Sequence, residues 1–434
     1  MAFSYIKRNI LEVRRGGMSA LRPKLQRLAN IAFKSAIGKW IIGLPFLPFV
    51  LIIRIIAPVK IIRLCRLHSL KMGHFTANTE LHLCEMDFMS KEDKDRYLNL
   101  YFYANKIVCN QKLASMWAEV MPIFPGKIMR PLFDANRLIP GYQKHELDIR
   151  SQSGRDVKGL LDLTAAHLTF TDAEEQEGIR GLFALGIEKD APFVCVTFRD
   201  HAYFDNLLGP GKDERDSYRN SDIESFMPAA DELTKRGYYV IRMGAKVEKK
   251  LKTSNPKIID YSSSGKRTEF MDIYLGAKCA FAVSTQTGWD GVPFIFRRPI
   301  CWFNSSPISY FLTSKKDDLL LTKHHNLISN PGCDMSLMDI FECGANDILY
   351  SEEYKCRGIM LRENTPEELV DIVIEMDERI KGTWQPEVGD DQRQLRFRDI
   401  FLKGNTVTGC LELHGELRAR YSDIFLRKNP DWLN

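Results

Sequence analysis

Short aliphatic or aromatic runs alternate with longer amphipathic stretches through most of the chain, and this alternation constrains the fold more than any other feature. In the second half, the runs occupy residues 193–198, 238–243, 279–284 and 299–303. The intervening stretches, such as 225–236, have the length and spacing of helices. Thr171 with Glu174 forms a capping-box pattern, which predicts the start of another helix. Strands that are joined through helices pair in parallel within one sheet. The sequence therefore predicts an α/β protein with doubly wound parallel sheets.

The same alternation begins near residue 60, so we expect two Rossmann-like domains that face a cleft. We predict a basic and apolar segment at 1–58, an N-terminal domain at 59–185 and a C-terminal domain at 186–385. A helical extension at 386–434 is predicted to pack back across the domains. Within the extension, residues 417–425 are predicted to form a helix. A chain of 434 residues is long enough for two such cores.

Charge is distributed unevenly along the chain. The net charge is +5, yet residues 1–72 contain fourteen Lys or Arg and a single acid, Glu12. Within this region, Met18, Leu21 and Leu25 recur at helical spacing among basic residues, which predicts a basic amphipathic helix. Such a helix is suited to lie on anionic lipid. A nucleic-acid partner is disfavoured, because no nucleic-acid-binding motif accompanies the basic residues.

An apolar run at residues 40–53 follows this helix. Fourteen residues are too few for a straight membrane span, and Pro45 and Pro48 interrupt the run. Both flanks are basic, and basic flanks stay in the cytoplasm. We therefore predict a cytoplasmic protein that is peripheral at the inner face of the cell membrane. Two alternatives stay open, namely a single spanning helix extended to Val59 and a buried hairpin.

Neither a disulfide framework nor a metal site is predicted. The chain has ten cysteines, and none of them forms a C-x-x-C pair. The D-x-D sequence at residues 93–95 follows Ser90 in a charged run, where a helix N-terminus explains it better than a metal-bound diphosphate. We expect no cofactor and no resident metal.

Polar residues follow each predicted strand of the second half. They are Arg199 and Asp200 after the first strand, Arg242 and Gly244 at the end of the second, three serines at 262–264, and Ser284, Thr285, Thr287 and Gly288 after the fourth. The carboxyl ends of parallel strands share one sheet edge, where open α/β sheets bind ligands. Arginines, hydroxyl groups and a glycine turn suit a pyrophosphate. The G-x-G-x-x-G and P-loop sequences are missing, which argues against a dehydrogenase or a P-loop enzyme.

A Gly-His pair follows the first strand of the N-terminal half. His74 would lie at the cleft, where an imidazole can act as a general base toward an acceptor hydroxyl. Glu80 lies six residues later and is a candidate to orient it. A structural histidine is the alternative. Asp200 is the second candidate for the base.

Four stretches of this chain resemble a family of bacterial glycosyltransferases linked to surface-polysaccharide loci. They are MGHFTANTE (72–80), DSYRNSDIESFMPAADELTKRGYYVIRMG (216–244), IDYSSS with MDIYLGAKCAFAVSTQTG (259–264 and 271–288) and LRARYSDIFLRKNPDWL (417–433). The resemblance implies a GT-B-like arrangement with the nucleotide-sugar donor in the C-terminal domain and the acceptor in the N-terminal one. It also implies that the arginines and the 284–288 turn bind donor phosphates and that His74 lies beside the acceptor.

The resemblance adds cleft candidates and one departure from the family. The added candidates are Tyr218, Arg219, Asn220, Ser221 and Asp222, although a polar helix N-cap explains the last three equally well. The departure is Trp289-Asp290-Gly291, where relatives have small residues. The expected function is transfer of a sugar from a nucleotide-activated donor to a glycan or lipid-linked acceptor. The alternatives are a nucleotide-sugar epimerase of the same fold and a non-catalytic scaffold of a polysaccharide-synthesis complex.

Overall fold

The computed structural model describes residues 43–149, 154–202 and 214–434. The basic amphipathic helix predicted around residues 18–34 lies outside the described residues.

Parallel strands dominate the described part of the chain, as the alternating pattern predicts. The strands are β1 (Ile61–Leu67), β2 (Tyr97–Tyr103), β3 (Glu146–Leu147), β4 (Phe193–Thr197), β5 (Tyr239–Arg242), β6 (Ile258–Ile259), β7 (Ala282–Ser284), β8 (Ile300–Ser305), β9 (Leu319–Thr322), β10 (His324–Leu327), β11 (Asn330–Asp334), β12 (Ile359–Arg362) and β13 (Arg420–Tyr421). A seven-stranded sheet has the order β13-β9-β8-β7-β4-β5-β6 with all neighbours parallel. Strands β10, β11 and β12 form a separate antiparallel sheet.

Helices connect these strands. They are α1 (Leu47–Ile56), α2 (Thr79–Asp87), α3 (Lys91–Arg96), α4 (Gln111–Val120), α5 (Gly126–Asn136), α6 (Asp172–Ala184), α7 (Met227–Lys235), α8 (Glu269–Lys278), α9 (Gly291–Ile295), α10 (Leu337–Glu342), α11 (Ser351–Cys356), α12 (Pro366–Lys381), α13 (Asp390–Thr408) and α14 (Asp423–Lys428). The capping box predicted at Thr171 is present at the start of α6. Ser90 caps α3 through the amide of Asp93, which confirms the helix-start interpretation of the D-x-D sequence.

The order of the seven-stranded sheet contains a topological switch point. From β4 the chain continues outward to β5 and β6, and from β7 it continues in the opposite direction to β8 and β9. The strands β4 and β7 are therefore sheet neighbours whose connections leave toward opposite edges. A crevice opens between such connections beyond the carboxyl ends of the two strands.

The chain divides into two compact units that alternate along the sequence. Among the described residues, unit 1 comprises residues 43–67, 90–106 and 122–148, and unit 2 comprises residues 68–89, 107–121 and the described residues from 149 to 434. Residues 68–89, which include the Gly-His pair, thus belong to the same unit as the seven-stranded sheet. The boundaries predicted from the sequence stay a prediction.

Unit 1 is built on the parallel sheet β2-β1-β3. Its apolar core combines α1, the sheet and α5 through Val50, Ile53, Leu64, Phe102 and Phe133. Several basic residues after the apolar run also serve this unit. Arg54 donates to Asn136 at 2.7 Å, and Arg63 donates to Asn99 at 2.8 Å and lies over the ring of Tyr97.

The apolar run forms α1, whose first turn accommodates Pro48. One side of α1 packs on the core of unit 1, and the other side exposes large apolar side chains that include Phe49, Leu51, Ile52 and Ile55. No helix among the described residues is both long and apolar enough to cross a membrane.

The predicted helix at residues 417–425 is wrong. Arg420 and Tyr421 instead form β13, which pairs in parallel with Leu319 and Leu320 of β9. Only after Ser422 does the chain become helical, in α14. The edge of the sheet offers hydrogen bonds that outweigh the local helical preference. The main helix of this region is α13, which buries Phe397 and Phe401 within unit 2.

Candidate functional site

A cavity of about 420 Å³ opens at the switch point of the seven-stranded sheet, and all of its lining belongs to unit 2. Arg199 follows β4, the residues from Gln286 to Gly291 follow β7, and Pro307 and Tyr310 follow β8. The turn at residues 71–77 and the segment at 154–155 complete the lining. The structure thus brings residues that follow successive parallel strands to one ligand-sized space.

Hydroxyl groups join the ends of β4 and β7 beneath this cavity. The Oγ1 atoms of Thr197 and Thr287 lie 3.2 Å apart, and the amide of Arg199 donates to Oγ1 of Thr285 at 2.8 Å. Ser284 and Thr285 are buried and do not line the cavity. Ser284 and Thr285, which were predicted as donor-site residues, therefore support the turn at residues 284–288 without lining the cavity. Thr287 and Gly288 of the same turn line it.

Four basic side chains line the cavity: Lys71, Arg155, Arg199 and Arg219. Arg155 is buried and donates to the carbonyl oxygens of Tyr310 and Phe311 at 2.9 and 2.8 Å. Burial lowers the pKa of Arg155 to about 10. Among the described residues, no carboxylate forms an ion pair with it. A buried cation that no carboxylate of the described residues neutralises costs free energy that an anionic ligand would recover.

Arg219 is held at the same cavity by a bond of 2.7 Å from its guanidinium to the carbonyl oxygen of Gln286. The backbone of Gln286 has a positive φ of 60°, so the chain changes direction here, just before Thr287 and Gly288. The guanidinium and the turn are therefore fixed to each other before any ligand binds, which favours electrostatic complementarity without reorganisation.

His74 reaches the cavity from a π-helical turn at His74–Asn78 that precedes α2. This turn packs closely on the turn after β7. A Cβ atom on Gly288 would lie 3.4 Å from the amide nitrogen of Gly73, and one on Gly291 would lie 1.8 Å from Oγ1 of Thr76. The two glycines permit this approach, which brings the imidazole beside Thr287 and Gly288 as lining of one cavity. Turns of π-helix recur at functional sites.

Asp290 lines the cavity and was not among the residues predicted from the sequence. Its Oδ1 atom accepts from Ser284 at 2.5 Å and from Thr287 at 2.9 Å. Burial raises the pKa of Asp290 to about 7, although both hydroxyl groups and Arg219 oppose the shift. Perturbed carboxyl groups in a cleft are functional candidates.

Two further cavities of about 200 Å³ adjoin the same sheet edge. One shares Lys71, Arg199, Thr287 and Gly288 with the larger cavity and adds Asp200, Gly244 and Trp289. The carboxylate of Asp200 accepts from the backbone amides of Ala202 and Glu248 at 3.0 Å each. The other is lined by Asp200, Asn220, Ser221, Asp222 and Arg242.

The structure does not bring Arg242 to the cavity that Arg199 lines. Arg242 ends β5, on the far side of β4 from β7, and its side chain is buried. Its guanidinium donates to the carbonyl oxygen of Lys249 at 2.5 Å and lies 3.7 Å from Asp260. Burial lowers the pKa of Arg242. These contacts favour a structural ion pair with Asp260 over the predicted donor-binding role.

Glu80 is placed in a buried cluster rather than at the cavity. Its Oε1 atom lies 2.8 Å from Arg297 and 3.1 Å from His167, and Cys84 lies beside them. Ligand atoms of Glu80, Cys84 and His167 lie within 4.8 Å of one another, so these three residues could hold a metal ion. The guanidinium of Arg297 already supplies positive charge there, which disfavours a second cation.

Six residues predicted from the sequence line this cavity: His74, Arg199, Tyr218, Arg219, Thr287 and Gly288. Lys71, Arg155 and Asp290 also line it and were not predicted. Lys71 lies shortly before the Gly-His pair and Asp290 lies shortly after the Thr-Gly turn. Their closeness in sequence to predicted site residues could have identified both. Arg155 lies in a polar stretch far from any strand and gave no such signal.

No protein-family model matches the chain, and no curated protein matches it. Among solved structures, the chain is similar to the E. coli ADP-heptose LPS heptosyltransferase II at 13% identity and a TM-score of 0.37, covering 74% of this chain and 100% of that one. It is also similar to a family 9 glycosyl transferase from Veillonella parvula at 13% identity and a TM-score of 0.40, covering 74% of this chain and 97% of that one.

Proposed function

We propose that this chain is a bacterial glycosyltransferase that moves a sugar from a nucleotide-activated donor to a glycan or lipid-linked acceptor in cell-surface polysaccharide biosynthesis. One observation carries the proposal: the switch-point cavity combines four basic side chains with a Thr-Gly turn. A pyrophosphate supplies negative charge that can pair with Arg155. It also supplies oxygen atoms that can accept hydrogen bonds from a Thr-Gly turn.

The same groups would assist departure of the nucleoside diphosphate. Negative charge develops on the leaving phosphate, and the guanidinium groups of Arg155, Arg199 and Arg219 are positioned to stabilise it. The proposal assigns no cofactor and no resident metal to this step. An acceptor hydroxyl must also lose its proton. His74 is the sequence-based candidate that lines the large cavity, whereas Asp200 lines the adjoining ones.

The proposed location is the cytoplasmic face of the cell membrane. The exposed apolar side of α1 supports it, because Phe49 and Ile55 project from a helix whose other side is anchored in unit 1. Residues 1–39 carry a net charge of +8 and would attract anionic headgroups to the same surface. A lipid-linked acceptor would be presented at that surface.

Thermal unfolding in the presence of a panel of nucleotide sugars tests the donor site. A ligand that binds only the folded state at one hundred times its Kd adds about 2.7 kcal/mol of stability. We expect one donor to stabilise the wild type and the Arg199→Ala variant to lose this effect. Arg180→Ala removes an exposed arginine on α6, away from the cavity, and should keep it.

Two outcomes would contradict the proposal. If neither nucleotide sugars nor nucleoside diphosphates stabilise the wild type, the chain has no donor site, and a scaffold role gains support. If a bound donor is isomerised in the absence of any acceptor, the protein is an epimerase. Transfer of labelled sugar to an acceptor extract, lost in Arg199→Ala and retained in Arg180→Ala, supports the transferase.

A further inference from the structure

Asp290 is a carboxyl group at the cavity that the proposed donor chemistry leaves unused. It is only 4% exposed and lies two residues after Gly288 of the Thr-Gly turn. Ser284 and Thr287 both donate to the same oxygen, Oδ1. Neither hydroxyl engages the second oxygen, Oδ2. Two short hydrogen bonds through Oδ1 therefore orient the side chain, and the backbone of Thr287 adds a further hydrogen bond to the carboxyl group.

Charged and titratable groups from every segment of the lining share the cavity with this carboxyl group. They are Arg219 before α7, Arg199 after β4, Lys71 and His74 from the segment at 71–77, Arg155, and the phenols of Tyr218 and Tyr310. Burial outweighs Arg219 and the hydrogen bonds from Ser284 and Thr287, and it raises the pKa of Asp290 to about 7. A carboxylate of this pKa is a stronger base than an ordinary aspartate and still ionises near neutral pH.

A purely structural role is the simplest alternative. Asp290 could serve only to hold the hydroxyl groups of Ser284 and Thr287 and so to shape the turn. An asparagine amide oxygen at this position could accept both of those bonds equally well, because both end on one oxygen. Only a role as a proton acceptor requires a carboxylate, because a carboxamide is not a base near neutral pH. This difference separates the two interpretations experimentally.

We propose that Asp290, rather than His74, is the catalytic base of the transfer. The inference rests on the proposed function. The acceptor's hydroxyl oxygen attacks the anomeric carbon of the donor, and the bond from that carbon to the phosphate oxygen breaks. The electron pair leaves with the nucleoside diphosphate, and the hydroxyl proton passes to Oδ2 of Asp290. Arg155 and Arg199, on the same cavity, offset the charge on the leaving group.

Donor hydrolysis tests this role without a known acceptor, because water can take the place of the hydroxyl. The full-length protein is incubated with the nucleotide sugar that gives the largest thermal shift, and release of nucleoside diphosphate is followed. We expect Asp290→Asn to lower kcat by about 100-fold or more, as loss of a general base does. The donor Kd should change by less than about threefold, since the asparagine keeps the turn in place.

The pH profile supplies a readout that a structural role would not move. Ser284→Ala removes a hydrogen bond that favours the ionised carboxylate, so the pKa of Asp290 should rise. The acid limb of kcat should then shift upward by about one pH unit. Ser115→Ala removes an exposed hydroxyl on α4 and should leave the limb in place.

The outcomes distinguish this inference from the proposed function. If no nucleotide sugar binds, both fail together. If a donor binds and Asp290→Asn hydrolyses it at the wild-type rate, or His74→Gln alone shows the large loss, Asp290 is not the base, although the transferase proposal survives. A wild type that binds the donor but never releases diphosphate also overturns the role of Asp290. If Ser284→Ala leaves the acid limb of the pH profile of kcat unmoved, the role of Asp290 as the base is overturned as well.

Discussion

The buried carboxylate of Glu80 illustrates how single residues hold unit 2 together. A carboxylate removed from water requires compensation, and Glu80 obtains it from Arg297 and His167. Arg297 adopts a positive φ of 62°, an unfavourable conformation for a residue with a Cβ atom. Its guanidinium also donates to the carbonyl oxygens of Leu161 and Ala165, so one side chain fixes the segment after residue 160.

This cluster predicts a specific dependence of stability on pH. Burial by itself lowers the pKa of His167, but hydrogen bonds to Cys84 and Glu80 outweigh it and raise the pKa to about 10. A histidine whose pKa is raised on folding contributes fully below its unfolded pKa of about 6.5, and the contribution disappears as the pH rises through 10. The stability advantage of the wild type over His167→Gln should therefore be largest at pH 6 and should shrink steadily toward pH 10.

Urea denaturation at several pH values measures this difference, and His414 provides the control. Burial lowers the pKa of His414 to about 4, so this residue is already neutral above pH 7 in both the folded and the unfolded chain. The difference between the wild type and His414→Gln should stay constant from about pH 7.5 to pH 10. A flat His167→Gln difference over the same interval would show that the histidine is not charged in the fold.

At the scale of elements, the contact between the π-helical turn and α9 fixes the shape of the cavity. A methyl group on Gly291 would collide with Thr76, and overpacking of this kind costs about 2 kcal/mol. We expect Gly291→Ala to lower the free energy of unfolding by about that amount and to weaken donor binding, because the turn carrying Thr287 must move. Urea denaturation and donor titration measure the two effects.

Gly332→Ala is the matched control for this substitution. Gly332 lies in β11, and no atom lies within 4 Å of the position that its Cβ would take. We expect its stability to stay within about 0.5 kcal/mol of the wild type. Equal costs for the two alanine variants would mean that backbone freedom, rather than the contact with Thr76, determines the effect at residue 291.

The elements that the sequence predicts well are those with a strong period and clear ends. The runs at 193–198 and 238–243 became β4 and β5, and the capping box at Thr171 begins α6. The two-residue strand β13 was missed, because a pair of residues has no period and its pairing partner lies a hundred residues away. Short edge strands depend on tertiary hydrogen bonds that a local pattern does not contain.

The site was predictable only where its residues follow strands. Arg199, Thr287 and Gly288 are ordered by the sheet, so knowing the strands was enough to place them together. Arg242 also follows this rule, but strand order decides which pocket it reaches, and β5 lies on the other side of β4 from β7. Arg155 reaches the cavity through bonds to two carbonyl oxygens more than 150 residues away, which no sequence spacing indicates.

At the scale of the whole molecule, the basic N-terminal region serves more than one purpose. The sequence predicts that both basic flanks of the apolar run stay on the cytoplasmic side of the membrane. In the structure, Arg54 and Arg63 after the run have hydrogen-bonding partners within unit 1, and Lys71 lines the cavity of unit 2. In the proposed attachment to the membrane, the attraction to anionic lipid then comes mainly from residues 1–39. The apolar contribution comes from the exposed side of α1.

This division predicts how the protein binds vesicles. The full-length protein should sediment with vesicles of phosphatidylcholine and phosphatidylglycerol and should be released in part by salt, which screens the charge contribution. Phe49 and Ile55 are 58% and 77% exposed, so replacing both by serine removes apolar surface without opening the core of unit 1. Burying two such side chains contributes several kcal/mol, and the double variant should bind at least about tenfold more weakly.

A second double variant, Leu395→Ser with Val407→Ser, separates location from hydrophobicity. These residues are 63% and 86% exposed on α13 in unit 2, so the same kind of apolar surface is removed elsewhere. Truncation before residue 58 would be a poorer test, since Val50 and Ile53 belong to the core of unit 1. Equal losses in the two double variants, or undiminished binding to vesicles of phosphatidylcholine alone, would show that α1 and the basic residues before it do not direct the protein to an anionic membrane.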